Sequence, residues 1–158
     1  MLDGIDLRLL DLLQTDASMS NQDIAREAHI SAPTALRRIK RLREAGLIER
    51  QVALLQPERM AEVQGHGLTA LIEITLERQG AEQLDAFEGR AVADPAVQQC
   101  YRVSPGPDFV LIVHTNDMPQ HLALTQRLFT SDANVRNVKA YFSVKRSKFD
   151  PRIALNRT

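Results

Sequence analysis

The sequence predicts an α+β protein in two parts, an N-terminal winged helix-turn-helix and a C-terminal ferredoxin-like βαββαβ domain. Three observations carry this. Apolar residues recur at helical spacing from Ile5 to Leu42, interrupted by two polar turns. The helical period stops at Gly46. Beyond Gly67, strand-like and helix-like segments follow in the order β-α-β-β-α-β. A length of 158 residues suits one large domain or two small ones, since domains typically run to about 100–150 residues. The expected division is a winged helix-turn-helix domain over 1–56, a linker over 57–67 and a ferredoxin-like domain over 68–158.

Residues 5–14 place Ile5, Leu9 and Leu12 on one helical face, with Leu10 and Leu13 beside them. After the polar break at Thr15–Met19, Ser20 is placed to cap a short helix over 21–28, with Asp23 three residues on and Ile24, Ala25 and Ala28 turned inward. A tight turn at His29-Ile30 leads to Ser31, the cap of a third helix. Pro33 lies in its first turn, where a missing N–H does no harm, and Gly46 closes it. Leu47–Leu55 is rich in β-formers and is expected to be an extended wing turning near Glu49–Gln51. A short helix is expected over Glu58–Val63, ahead of Gly65-His66-Gly67, a hinge by composition.

In the second half, Leu68–Glu77 alternates as a strand, with Ala70, Ile72, Ile74 and Leu76 on one side. Gly80–Ala93 is expected to be a helix with Leu84, Phe87 and Val92 inward, ending at Asp94-Pro95. Val97–Val103 and Asp108–Thr115 are strands around Ser104-Pro105-Gly106-Pro107. A helix carrying Leu122, Leu124 and Leu128 reaches about Thr130, and Val135–Lys148 is a last strand or extended arm.

Apolar residues make up 44% and charged residues 25%, ordinary for a globular chain. No apolar run reaches the roughly 18 residues a membrane helix needs. The N-terminal residues lack a signal peptide's pattern, and the one cysteine, Cys100, is expected to be a buried small hydrophobe. These features imply a cytoplasmic protein, and the sequon at Asn156 carries no meaning there. Net charge is zero, but its distribution is uneven. Residues 3–27 are acidic, whereas Arg37, Arg38, Lys40, Arg41 and Arg43 face Glu44 alone.

Two short helices joined by a tight turn, the second of them basic, form a helix-turn-helix pattern. Leu36, Ile39 and Leu42, with Ala35, are expected to form the buried stripe of the third helix, and Thr34, Arg38 and Arg41 an outward face. In this docking geometry the N-terminal part of the second helix meets base edges, which nominates Ala32, Pro33, Thr34, Arg37 and Arg38. Lys40, Arg41 and Arg43 lie further along and are expected at phosphates or beside the wing. Ser20, Asn21 and Gln22 open the first helix of the motif, where free N–H groups could receive a phosphate. Like charges at helical spacing repel by a few tenths of a kcal/mol per pair, and a polyanion would offset this. Double-stranded DNA is the expected partner, because no aromatic stacking platform for RNA accompanies the basic residues.

Leu2-Asp3-Gly4-Ile5-Asp6, Ser20-Asn21-Gln22-Asp23-Ile24-Ala25 and Leu36-Arg37-Arg38-Ile39-Lys40-Arg41-Leu42-Arg43-Glu44-Ala45-Gly46-Leu47-Ile48 resemble the Lrp/AsnC family, the feast/famine regulators. The resemblance continues through Leu71–Leu76, Val97–Val103, Asp108–Leu111 and Val138–Lys148, where it rests on order and spacing. It implies a DNA-binding transcription regulator that dimerises through its C-terminal domain. It also implies assembly of dimers into an octamer (a tetramer of dimers) and an amino acid or related metabolite as effector. The family's effector pocket maps onto Ser104, Pro105, Gly106, Asp108, Met118, Tyr141 and Ser143. The chain departs from the family there. Pro105 stands where members carry a glycine, and Pro107 precedes Asp108; two prolines remove two amide donors that could grip a carboxylate. Asp108 could pair with an ammonium group or cap the turn.

Two other readings compete. A siroheme-decarboxylase-like enzyme would use His66, His114, His121 and Arg102, but no pair of these forms an obvious acid/base set. A metabolite-binding module with a degenerate DNA domain would not need the basic helix. No metal-ligand spacing or phosphate-binding glycine loop is present, so no metal, cofactor or enzymatic activity is expected.

Overall fold

The computed structural model describes residues 2–155; the sequon beginning at Asn156 lies outside them. The chain divides into two compact units. The first comprises residues up to Leu54 plus the stretch from Lys148, and the second runs from Leu55 to Ser147. The last residues, read from the sequence as the end of the second domain, thus cluster with the first.

The first unit holds α1 (Gly4–Thr15), α2 (Asn21–Glu27) and α3 (Ala32–Glu44). Each begins with a side-chain cap. Asp3 and Asp6 form a reciprocal capping box on α1, Ser20 accepts from the Asp23 N–H, and Ser31 accepts from the Thr34 N–H. Both helices of the helix-turn-helix end in the same way. At the end of α2 the Ile30 N–H reaches the Ala25 carbonyl and the His29 N–H reaches Arg26. At the end of α3 the Leu47 N–H reaches Leu42 and the Gly46 N–H reaches Arg43. These are Schellman closures, which need a left-handed residue; His29 (φ 55°) and Gly46 (φ 71°) supply it. The small core between the helices consists of Leu9, Ile24, Ala25, Ala28, Ala35, Ile39 and Leu42.

Leu36 departs from the expectation. It is 61% exposed, because it lies about 100° around the helix from the centre of the Ala35-Ile39-Leu42 stripe. The expected wing differs too: after Ile48 the chain carries no strand until Leu68, so Leu47–Leu55 pairs with no neighbour as a ladder.

The second unit opens with α4 (Pro57–Gln64) and then runs β1 (Leu68–Leu76), α5 (Ala81–Ala93), β2 (Val97–Arg102), β3 (Phe109–Thr115), α6 (Met118–Thr125) and β4 (Val135–Phe142). The four strands form one antiparallel sheet in the order β2-β3-β1-β4, the ferredoxin-like arrangement. Strand alternation sends Ala70, Ile72, Ile74, Phe109, Leu111 and Val113 to one face, where Phe87, Ala91, Leu124, Leu128 and Phe129 of the helical layer cover them. Phe87 and Phe109 pack with ring centroids 4.9 Å apart. Val92, expected inward, is 65% exposed, and Leu122 is 61% exposed; each lies beside the face of its helix that buries Phe87 and Ala91 or His121 and Leu124. The regular helix expected as far as Thr130 loosens into a π-helical turn over Gln126–Thr130, in which the adjacent Leu128 and Phe129 are both buried.

Candidate functional site

The three buried positions of α3 fix its orientation, and every other side chain follows from it. With Ala35, Ile39 and Leu42 inward, the opposite face carries Pro33, Arg37, Lys40 and Glu44, all exposed. Arg37 has no ion-pair partner among the described residues. Lys40 lies 3.7 Å from Glu44, an exposed i,i+4 pair with little hold on either group. Arg43 donates to Gln51 Oε1 at 2.6 Å, tying the helix end to the following segment.

Arg38 and Arg41, expected on the outward face, turn to α1 instead. Asp6 is fully buried, and its carboxylate accepts from Arg38 Nη1 at 2.8 Å and from Arg41 Nη2 at 2.5 Å. Arg38 also donates to Asp3 Oδ2 at 2.7 Å. The Arg38 side chain is 20% exposed, against 76% for Lys40. Hydrogen bonds from the Asp6 backbone and from Arg38 hold the Asp3 carboxyl below its ordinary value, and Asp3 and Asp6 raise the Arg38 guanidinium. The same two carboxylates therefore cap α1 and orient α3. Sequence reasoning missed this role. The signal was Asp3-x-x-Asp6 ahead of an apolar run, a capping-box spacing.

Ser31 and Thr34 bond each other through their hydroxyls at 2.8 Å, beside Ala32 and Pro33 at the start of α3. Asn21, nominated for a phosphate, donates instead to the Ala32 carbonyl at 2.9 Å and pins α2 to α3. Ser20 is engaged with Asp23, to which it donates at 2.6 Å. Of that trio Gln22 alone is exposed with no side-chain bond among the described residues.

The residues nominated for an effector fall into two groups. Ser104, Pro105, Gly106 and Asp108 lie at the Phe109 end of β3, beside Ile74–Leu76. Met118 follows the Thr115 end, and Tyr141 and Ser143 lie near it, opposite Leu71 and bonded to Thr69. The length of β3 separates the groups by about 20 Å, so one chain does not bring them together. The Asp108 carboxylate accepts from the Leu76 N–H at 2.7 Å and from Gln79 Nε2 at 3.2 Å, which caps the end of β1. Behind Met118, His121 is buried against the Phe142 ring, with centroids 4.8 Å apart. Its Nδ1 has no partner, and burial lowers its pKa.

Other polar groups have structural partners. Arg127 donates twice to the nearly buried Asp94, at 2.5 and 3.0 Å, joining the end of α5 to the π-turn and holding the Asp94 carboxyl low. Arg102 pairs with Asp85 and Glu88 and lies over the Phe109 ring. His66 and His114 line a cavity of about 230 Å³, and His114 Nδ1 is 3.0 Å from the Thr69 hydroxyl. Burial pushes the Cys100 thiol up, as for a packed hydrophobe. Among the described residues no cluster of three or more His, Cys, Asp or Glu side chains could hold a metal, and no helix is long and apolar enough to cross a membrane.

A helix-turn-helix with a cationic outer face, followed by a βαββαβ domain, defines a DNA-binding regulator with a separate sensing domain. Residues 2–49 match the model for a winged helix-turn-helix DNA-binding domain, and residues 69–153 match that for the Lrp/AsnC ligand binding domain. The chain belongs to the Lrp/AsnC family of transcription regulators. It is 32% identical over 147 residues to the leucine-responsive regulatory protein of Rhizobium meliloti, covering 93% of this chain and 92% of that one. It is 31% identical over 144 residues to the Bkd operon transcriptional regulator of Pseudomonas aeruginosa, covering 91% and 92%. An AsnC family transcriptional regulator from Agrobacterium tumefaciens superposes with a TM-score of 0.85 at 27% identity, over 97% of each chain. A Neisseria meningitidis transcriptional regulator in complex with L-Met superposes at 0.83 and 26% identity, over 99% of this chain and 98% of that one.

Proposed function

We propose that this regulator reads DNA with the outer face of α3, as a homodimer whose sensing domains bind an amino acid or a related metabolite. The observation that carries the reading is the exposed stripe of Arg37 and Lys40, which no described residue neutralises except through the loose Lys40–Glu44 pair. Arg37, near the start of α3, is the base-reading candidate beside Ala32, Pro33 and Thr34. Lys40 is the phosphate contact. Exposed Leu36 adds an apolar surface suited to a thymine methyl. Arg38 serves chiefly to hold α3 on α1, whereas Arg41 meets Asp6 while staying 56% exposed.

The sheet face away from the helices supports the dimer. Leu71, Tyr101 and Tyr141 are exposed there, in register with Val110 and Ile112. An apolar patch of this kind is what an interface core requires. Assembly of dimers into an octamer would bring the Ser104–Asp108 loop of one copy to the Met118 and Tyr141 region of another, which accounts for effector residues lying apart in one chain. Such a protein acts at the nucleoid, in the cytoplasm, and has no catalytic role.

Anisotropy titrations with a duplex selected by the protein from a random pool test the reading. Lys40→Ala should weaken binding to all duplexes and reduce the slope of log K against log salt by about one unit. Arg37→Ala should relax preference at one base position, a discrimination of about 1–3 kcal/mol. Unchanged binding in both variants would refute the assignment. Thermal shift across amino acids and related metabolites identifies the effector, since selective binding raises the melting temperature.

A further inference from the structure

The C-terminal stretch from Lys148 leaves the sheet unit and packs within the helical unit. Two features hold it there. The Gln14 side chain, on the last turn of α1, donates through Nε2 to the Ile153 carbonyl at 2.9 Å and accepts through Oε1 from the Ile153 N–H at 2.9 Å. A side-chain amide offers one donor edge and one acceptor, so Gln14 satisfies both backbone groups of one residue, as a neighbouring strand would. Just before it, Asp150 accepts from the Arg152 N–H at 3.2 Å and from its guanidinium at 2.8 and 2.9 Å, which turns the chain toward α1. Leu155 and Ile153 then border an open cavity of about 450 Å³, with Leu10, Leu13, Val52 and Leu54 on its other walls.

The helical unit is therefore joined to the sheet unit at two points of the chain, Leu54–Leu55 and Ser147–Lys148. The second connection is short. The Ser143 N–H is bonded to the Thr69 carbonyl at the end of the sheet, and the ten peptide steps from there to Ile153 span at most about 35 Å. It continues from β4, the strand that carries Tyr141, with Ser143 just beyond its end.

We propose that residues 148–155 are a strap that docks on α1 through Gln14 and acts as a second tether, fixing where the DNA-binding unit is held in a two-fold assembly. This rests on the reading of the protein as a DNA-binding dimer. A dimer engaging two half-sites gains affinity from the second contact only if its units are held at the right spacing. Loosening the strap should therefore weaken binding to a complete site and spare binding to half of one. An ordered β4 terminus would shorten the free tether, linking the candidate effector region to the strap.

Full-length Gln14→Ala and a chain ended after Ser147 test this against the wild type. Gln14→Ala keeps all charges of the strap; the shortened chain removes the strap itself. The probes are the duplex that the wild type selects from a random pool and the same duplex cut to one half-site. Both variants should bind the complete duplex about tenfold more weakly and the half-site as the wild type does. Amide exchange at Ile153 should quicken at least tenfold in Gln14→Ala. Undiminished affinity of both variants for the complete duplex would overturn the proposal. So would an equal loss on the half-site, which would place the effect in the fold of the unit. An Ile153 amide that exchanges as in a free peptide in the wild type would overturn the docking by itself, whatever happens with DNA. If the wild type selects no duplex, the DNA-binding reading fails and the tethering role with it, while the exchange measurement still decides the docking.

Discussion

Asp6 shows how much one residue can decide. Its buried carboxylate receives two guanidinium groups and, through Oδ2, the Asp3 N–H at 3.2 Å. A buried acceptor of this kind is costly to leave uncompensated, and removing one partner strands the others. Asp6→Ala should lower the stability of the helical unit by about 2 kcal/mol or more. It should also free Arg38 and Arg41 to swing outward, so that non-specific DNA affinity rises relative to specific affinity. Urea unfolding followed on the helical unit, together with competition binding, checks both parts; a variant as stable as the wild type would show that the pairs are incidental. The identities of these residues were plain in the sequence. Their partnership was not, because counting cations along α3 cannot tell an arginine facing solvent from one facing Asp6. The centre of the buried stripe makes that distinction, and mistaking Leu36 for part of the stripe rotated the expected DNA-reading face toward Thr34 and Arg38.

At the level of elements, the two helix ends of the helix-turn-helix share one closure but differ in its residue. Gly46 takes the left-handed conformation at little cost, whereas His29 pays about 1 kcal/mol for it. Gly46→Ala should destabilise the helical unit by about 1 kcal/mol, and His29→Gly should be neutral or stabilising by up to that amount. Thermal melts of the two single variants separate these effects; a Gly46→Ala protein as stable as the wild type would show that α3 does not need this cap. The glycine was legible as a helix stop, and so were Ser20, Ser31 and Pro33 as helix starts, since each acts on backbone groups within a few positions of itself. The wing was not. Leu47–Leu55 has strand-forming composition, but a strand exists only where a neighbour supplies the ladder, and no described segment does so. The π-turn at Gln126–Thr130 likewise left no mark in the apolar spacing, because it answers to packing around Leu128 and Phe129 and to the reach of Arg127 for Asp94.

For the whole molecule, the open face of the sheet makes a claim about assembly. Replacing Leu71, at the centre of that face and in register with Ile112 and Tyr141, by glutamate would put a charge into an apolar interface core. Leu71→Glu should therefore yield monomers by sedimentation and lose binding to a complete operator, while its far-ultraviolet circular dichroism stays that of the wild type. A folded Leu71→Glu dimer would remove this face as the interface.

Local chemistry determined much of this protein before any fold was considered. Caps, stops, apolar periods and the basic helix follow from residues that act within about four positions of one another, and these define two domains and a nucleic-acid-binding class. Tertiary structure alone decided which cations of α3 face solvent, that Asp108 caps a strand end, that the residues nominated for an effector divide between the two ends of β3, and that Gln14 clasps Ile153. Each of those outcomes depends on groups far apart in the chain. Their spacing in sequence carries no distance, and only packing sets which donor meets which acceptor.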